Sequence, residues 1–336
     1  MRKIFLLFVF CFGLNLAVFS ESKTVNFQDY DLKAFYPAAV QPGDAVFIRL
    51  NFESKNKKLI KTLSEKDVES GNLELYRLLD NGKMTEKPVA RSKFYRIEKN
   101  DGKKSVKTVL LSAVPLSTYA KTGDYAAKID FSVFGKETEN LTLPVKIIQK
   151  EFVSETIPLN ESNTAIKTNS SDERKNQIER LNKILAEKNY DSVYETNRFA
   201  APNPATRRTS FFGDRRVFAY SNGKSSTSLH YGIDYGVPTG SEVRACGRGK
   251  VVMAENRIST GWSICIEHLP GLYSLYYHMS EMKVSVGQIV EKGDLIGLSG
   301  ATGLATGPHL HWEIRLNMEA VSPDFMTEDF AFSEEL

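Results

Sequence analysis

Hydrophobic and polar residues alternate with a period of two through much of the chain between residues 26 and 149. The clearest run sets Tyr125, Ala127, Ile129, Phe131 and Val133 against Ala126, Lys128, Asp130 and Ser132, the signature of a strand with one buried face. Val46, Ile48, Leu50 and Phe52 repeat the pattern after the turn signal Pro42-Gly43, and Leu141, Leu143, Val145 and Ile147 repeat it again. These runs predict a β-sandwich-like domain over residues 24–150, and no chemistry is legible in it. The lysine-rich stretch 55–66 reads as a solvated loop, with contact to an anionic polymer as the sharper alternative.

Residues 151–200 turn polar and predict a linker containing one amphipathic helix. Ser170 and Glu173 have capping-box spacing, and Ile178, Leu181, Ile184 and Leu185 make a narrow apolar stripe before Asn189 and Tyr190 end it. Such a stripe packs on one of the domains or takes a partner. Residues 201–336 are rich in glycine and β-branched residues, with short strands expected at 242–246, 250–254, 263–267 and 273–277. Glycine-punctuated strands of this kind predict a compact antiparallel β-domain. The fold class is therefore mainly β.

The opening residues have a different pattern. Arg2 and Lys3 precede an apolar stretch over 4–19, with Val18 and Ser20 as small residues at its end, which predicts a cleaved signal peptide over 1–20. A transmembrane anchor wants about 20 strongly apolar residues, and Gly13 and Asn15 interrupt this stretch. Bulky Phe10 before Cys11 argues against lipidation. The mature chain is thus expected to be exported, periplasmic or associated with the cell wall or secreted, with no stable membrane span.

Composition narrows the function classes. The chain has 336 residues, 41% hydrophobic and 25% charged, which excludes a disordered chain and a multi-span membrane protein. Lys+Arg 44 against Asp+Glu 41 leaves +3, so no nucleic-acid partner is expected. Once the signal is removed, Cys246 and Cys265 remain, readable as a disulfide or as two small buried hydrophobes.

All five histidines fall after residue 229. His230 and Asp234 stand four apart in HYGIDYG; His309 and His311 stand two apart in GPHLHWEIR. At even offsets on an extended chain the members of each pair share a face. A lone buried histidine is usually a hydrogen-bonded core residue, but these pairs together give two imidazoles and a carboxylate. His230, Asp234 and His311 are the expected ligands of one Zn²⁺ per chain, with a fourth position open to water whose pKa the metal lowers toward about 7. His309 is placed as general base, and His278 in LYYHMS as an oxyanion stabiliser or proton shuttle. His268 in EHLPG is expected to be a structural residue in a turn.

The stretch from FFGDRR through HYGIDYGVPTGSEVRA, GRGKVV, YSLYYHM and VGQIVEKGDLIGLSGATGLATGPHLHWEIR resembles the M23 zinc metallopeptidases, the lysostaphin-type or LytM-like endopeptidases, over roughly the last third of the chain. The resemblance implies an antiparallel sheet crossed by a substrate groove, one zinc at its floor, and cleavage of peptidoglycan cross-links or stem peptides in wall growth, division or remodelling. It carries the ligands to His230, Asp234 and His311 and the two further active-site histidines to His278 and His309. Met279 stands where the family often has Leu, and Tyr220 is the candidate counterpart of an upstream active-site tyrosine. Peptidoglycan peptides are the implied partner, with a divisome or wall-enzyme partner besides. A non-catalytic LytM-like module that binds wall or activates an amidase is the alternative. A D,D-dipeptidase architecture ranks last, because its metal motif spaces His and Asp more widely.

Overall fold

The computed structural model describes residues 20–63, 69–102 and 104–329; the expected signal peptide falls on residues 1–19 and lies outside them, apart from Ser20. The chain is mainly β. Its first half is a sandwich of two five-stranded sheets. One runs Ser20–Asn26, Asp31–Pro37, Ala45–Ser54, Val106–Pro115, Tyr95–Asp101; the other Ala39–Val40, Glu139–Ile147, Gly123–Ser132, Ser70–Arg77, Ala90–Lys93. Leu141, Leu143, Val145 and Ile147 are buried while Thr142, Pro144 and Lys146 between them are exposed, as period two demands. The stretch expected as a lysine-rich loop instead begins with the helix Lys57–Thr62, capped by the Asn56 side chain and anchored by buried Leu59.

The strand Ala45–Ser54 departs from simple alternation. Val46, Ile48, Leu50 and Phe52 are buried in the sandwich, but Ala45 and Phe47 are buried too. The C-terminal domain lies on that outer face: Phe47 stacks on Phe325 with ring centroids 6.2 Å apart. Ser322 N–H donates to the Gly43 carbonyl at 2.7 Å, and the Asn317 side chain donates to the Ala113 carbonyl at 3.1 Å. Arg215 adds hydrogen bonds to Thr118 and a stacking contact over Tyr119, 4.4 Å from the ring centroid. The two domains therefore share one continuous apolar core.

The main sheet of the C-terminal domain has the order Arg208–Ser210, Gly232–Tyr235, Leu310–Leu316, Leu272–Met279, Gly261–Leu269, Gly249–Arg257, Ile289–Val290, with Glu319–Val321 also paired to Leu310–Leu316. The expected strands at 250–254, 263–267 and 273–277 lie within longer ones. His268 lies within the strand Gly261–Leu269, one residue before its end, rather than in the turn, which is formed by Pro270 and Gly271.

The polar stretch 151–200 is built into this domain instead of spanning a gap. Ser154–Pro158 pairs in parallel with Arg215–Ala219, which pairs in turn with Ser225–Leu229. Two helices follow, Glu161–Thr168 and Asp172–Ala186, where one was expected. Ser171 rather than Ser170 caps the longer helix, its hydroxyl accepting from Arg174 N–H at 3.3 Å, so Glu173 falls at the second helical position and the predicted capping box does not form. Of the apolar stripe, Leu185 is buried and Leu181 and Ile184 are half-buried against Met253, Cys265, Tyr273, Leu275 and Tyr277, whereas Ile178 is exposed. Cys246 belongs to the large core and Cys265 to this smaller one, and both are free. No helix among the described residues is long and apolar enough to cross a membrane.

Candidate metal centre

Two neighbouring strands bring the predicted ligands together. Gly232–Tyr235 pairs with Leu310–Leu316 so that Asp234 faces His311 across the ladder, and His230 lies just before the first strand. This approach requires glycine at 232. A Cβ there would meet the His311 Nε2 atom at 2.8 Å and the Trp312 carbonyl carbon at 2.9 Å, with the Trp312 carbonyl oxygen closer still. All three candidate ligands are buried, and their donor atoms converge. His230 Nε2 lies 3.0 Å from both Asp234 Oδ1 and His311 Nδ1, and His311 Nδ1 lies 2.8 Å from Asp234 Oδ1.

The outer partners fix which atoms face inward. His230 Nδ1 lies 2.8 Å from the Phe211 carbonyl, which only accepts, so that nitrogen carries the proton and Nε2 presents a lone pair. His311 Nε2 lies 3.3 Å from a Glu313 carboxylate oxygen and donates to it, turning Nδ1 inward. Glu313 is held by Arg315, whose guanidinium lies over Tyr231. The other oxygen of Asp234 accepts from Arg216 Nη2 at 2.9 Å, and Arg216 Nε donates to Glu155 at 2.9 Å.

Two imidazole lone pairs and a carboxylate oxygen this close repel one another unless a proton or a cation lies among them. Burial opposes a proton on His311, but the carboxylates of Asp234 and Glu313 on either side raise its pKa to about 9. Burial likewise disfavours the charge on Asp234, yet charge and hydrogen bonds from His230 and His311 hold its carboxyl well below the usual range. A donor set of two neutral imidazole nitrogens and one carboxylate, each oriented by an outer hydrogen bond, fits a divalent cation of the zinc type.

His278 and His309 stand beside this cluster, their ring centroids 4.6 Å apart; the His278 and His311 centroids are 6.2 Å apart. His278 adopts a left-handed backbone conformation, φ 62°, rare for a residue with a side chain. Its N–H donates to the Thr260 carbonyl at 2.9 Å and its ring Nδ1 to the Thr302 carbonyl at 2.7 Å, which over-determine that conformation. Burial, reinforced by the nearby His309 and His311, pushes the His278 pKa down to about 3, so the ring is neutral and presents Nε2 as an acceptor. His309 Nδ1 donates to the Gly307 carbonyl at 2.8 Å, and its Nε2 lies 3.8 Å from Asp234 Oδ1.

All five residues line one cleft of about 710 Å³. Tyr220, the candidate upstream tyrosine, does not line it; its hydroxyl donates to Ser226 at 2.6 Å within the hairpin. Tyr277 does, its ring stacked on His311 at 5.2 Å and 8°. His268 lies apart from the cleft, fully buried between the Arg248 carbonyl and the Ser274 hydroxyl. Sequence reasoning assigned no role to Arg216, Tyr277 or Glu313. Glu313 was within reach, since it stands two residues beyond His311 on the same strand face; Arg216 has no local signal, because its link to Asp234 exists only across the sheet.

The family model Peptidase family M23 matches residues 228–323. The DD-carboxypeptidase/endopeptidase Mpg of Neisseria meningitidis is 41% identical over 95 residues, 28% of this chain and 22% of that protein. The peptidoglycan DD-endopeptidase ShyA of Vibrio cholerae is 36% identical over 128 residues, 38% of this chain and 29% of that protein. The matches thus take in less than a third of the length of these relatives. A crystal structure of a candidate peptidase M23 from Pseudomonas aeruginosa shares the fold over 86% of this chain and 95% of its own, with a TM-score of 0.50 and 18% identity.

Proposed function

We propose that the chain, whose residues 228–323 match the model of peptidase family M23, is a member of that family through its C-terminal domain and an exported zinc endopeptidase hydrolysing peptide bonds in the cross-links or stem peptides of peptidoglycan. The observation that carries the reading is the convergence of His230, Asp234 and His311 on one point, beside two further imidazoles in an open cleft. The peptidoglycan activities named for Mpg and ShyA support the choice of substrate. A wall substrate places the protein outside the cytoplasm, in line with the signal-like opening residues, and makes a divisome or wall-enzyme partner an expected companion.

His230, Asp234 and His311 would hold the zinc, and the chemistry it would supply there is Lewis acidity toward a scissile carbonyl and a lowered pKa of water. The protein does the positioning. Because His309 Nδ1–H is committed to the Gly307 carbonyl, its Nε2 is free to take a proton, which suits a general base. His278 presents an acceptor nitrogen in its resting tautomer, so it relays a proton and becomes an oxyanion donor only after gaining one. Arg216 and Glu313 keep Asp234 and His311 aimed inward, and Tyr277 braces the His311 ring.

Purified protein should release new amine termini from cell-wall sacculi, lose that activity to a chelator and regain it with zinc. His309→Ala should bind zinc as wild type does yet fail to hydrolyse. Sacculi of every cross-link type left intact by the zinc-loaded protein would sink the reading. Full cellular function retained by His309→Ala would favour a module that grips wall or activates an amidase.

A further inference from the structure

One wall of the cleft lies outside the family-matched residues. Glu155, Ile157, Leu159 and Lys167 reach it from the segment whose composition reads as a linker. The helix Glu161–Thr168 is tied to two walls at once: the Asn163 side chain donates to the Ala305 carbonyl at 3.2 Å, in the loop that leads to His309, and Ser221 N–H donates to the Thr164 hydroxyl at 3.1 Å. Asn163 and Thr164 are buried by these contacts. Lys167 is thereby held at the cleft with its ammonium 4.2 Å from the centroid of the Phe218 ring.

The surroundings of that ammonium are unusual. Among the described residues no carboxylate forms an ion pair with it, and the acid that reaches the cleft from the same segment, Glu155, is engaged by Arg216 and by Ser210. Partial burial, reinforced by the guanidiniums of Arg174 and Arg216 nearby, pushes its pKa below the ordinary lysine value. The Phe218 face offsets some of this cost. A half-desolvated cation among like charges is stabilised most by an anion that arrives from solvent.

We propose that Lys167 is a specificity-determining residue of the cleft, binding a carboxylate carried by the peptide that is cut. The proposal rests on the peptidase reading and narrows it to substrates with a free carboxylate near the scissile amide, either the C-terminal carboxylate of a stem peptide or one on its branching residue. It also gives the segment 151–200, which lies outside the matched residues 228–323, a part in substrate choice.

The test uses the zinc-loaded full chain and two pairs of defined wall peptides, each pair differing only in a carboxylate or a carboxamide, at the C-terminus in one pair and at the branching residue in the other. Wild type should prefer the carboxylate member of one pair by about tenfold or more in kcat/KM, as expected for a hydrogen bond to a charged group, with the difference in KM. Lys167→Ala should bring that ratio close to one, and Lys167→Arg, which keeps the charge and the stacking, should restore most of it. Calorimetric binding of uncleaved peptides to His309→Ala should show the same preference, lost in the His309→Ala, Lys167→Ala double variant. A wild-type preference that survives Lys167→Ala, or equal handling of both members in both pairs, overturns the proposal. If wild type cleaves no peptide but the calorimetric preference is present and depends on Lys167, the carboxylate subsite stands while the peptidase reading falls.

Discussion

Replacing Gly232 by Ala tests the geometry on which the metal centre rests. The added methyl would come within 2.8 Å of His311 Nε2, about 0.6 Å inside the 3.4 Å of ordinary contact, and closer to the Trp312 carbonyl oxygen. Neither neighbour is a flexible side-chain end: one is a buried ring clamped by Glu313, the other is backbone of the central strand. Relief therefore requires Gly232–Tyr235 to move away from Leu310–Leu316, separating Asp234 and His230 from His311. Overpacking of this kind costs about 1–3 kcal/mol. Displacement by a sizeable fraction of an ångström in a cluster whose donor atoms are 2.8–3.0 Å apart should weaken zinc binding by about 10–100-fold, the scale seen when supporting contacts of a metal site are lost. Competition with a chromophoric chelator measures the affinity, and denaturant unfolding of the metal-free protein measures the stability term separately. Gly307→Ala is the control, because nothing lies within 4 Å of its added Cβ; its zinc affinity should match wild type. A Gly232→Ala protein with wild-type zinc affinity and wild-type stability would refute the close-approach argument.

Four further outcomes follow from the same contacts. Arg216→Ala leaves Asp234 Oδ2 and Glu155 without their shared guanidinium, so chelator competition should show zinc affinity lowered by about 10–100-fold; unchanged affinity would remove Arg216 from the site's support. Cys246 and Cys265 are buried in separate clusters, and burial raises both thiol pKa values, Cys246 to about 12; neither should react with a thiol reagent until the protein is unfolded, and a bridged Cys246–Cys265 peptide in a non-reducing digest would contradict this. Burial lowers the His268 pKa to about 4 from an ordinary 6.5, so the unfolded chain binds a proton that the folded chain refuses between those values. That stability is fully present above pH 6.5 and is lost as pH falls toward 4, by up to about 3 kcal/mol; urea unfolding of His268→Gln should show a shallower acid slope, and an unchanged slope would reject the assignment. A chain beginning at residue 201 lacks Ser154–Pro158 and the helix that covers Met253, Cys265 and Tyr273; light scattering should find it aggregated, whereas a chain beginning at residue 151 keeps that cover, and equal solubility of the two would argue against it.

What could be read from the sequence follows from the range of the interactions involved. The pairs His230/Asp234 and His309/His311 carry their geometry in their spacing, because an even offset on an extended chain sets a common face whatever the rest of the fold does. The ladder then has only to place Asp234 opposite His311, which it does through Gly232. Strand alternation was legible for Leu141 to Ile147 for the same reason, as one face meets core and the other meets water. It failed at Ala45–Ser54, where Phe47 is buried by a second domain more than 250 residues away in the chain, and periodicity carries no information about such a surface. The stretch 151–200 misleads in the opposite way. Its polar composition reads as a spacer because its backbone, rather than an apolar face, provides much of its attachment: the parallel pairing of Ser154–Pro158, Tyr194 and Glu195 N–H to the His268 carbonyl, and Ala200 N–H to the Cys246 carbonyl. Main-chain hydrogen bonds place few demands on side-chain type, so a segment fastened by them can keep polar side chains free for the cleft. Glu155 is there on that account, on the backbone-paired strand Ser154–Pro158, whereas Lys167 is held by the Asn163 and Thr164 side chains of its own helix, whose partners lie 142 and 57 residues away and leave no local sequence motif.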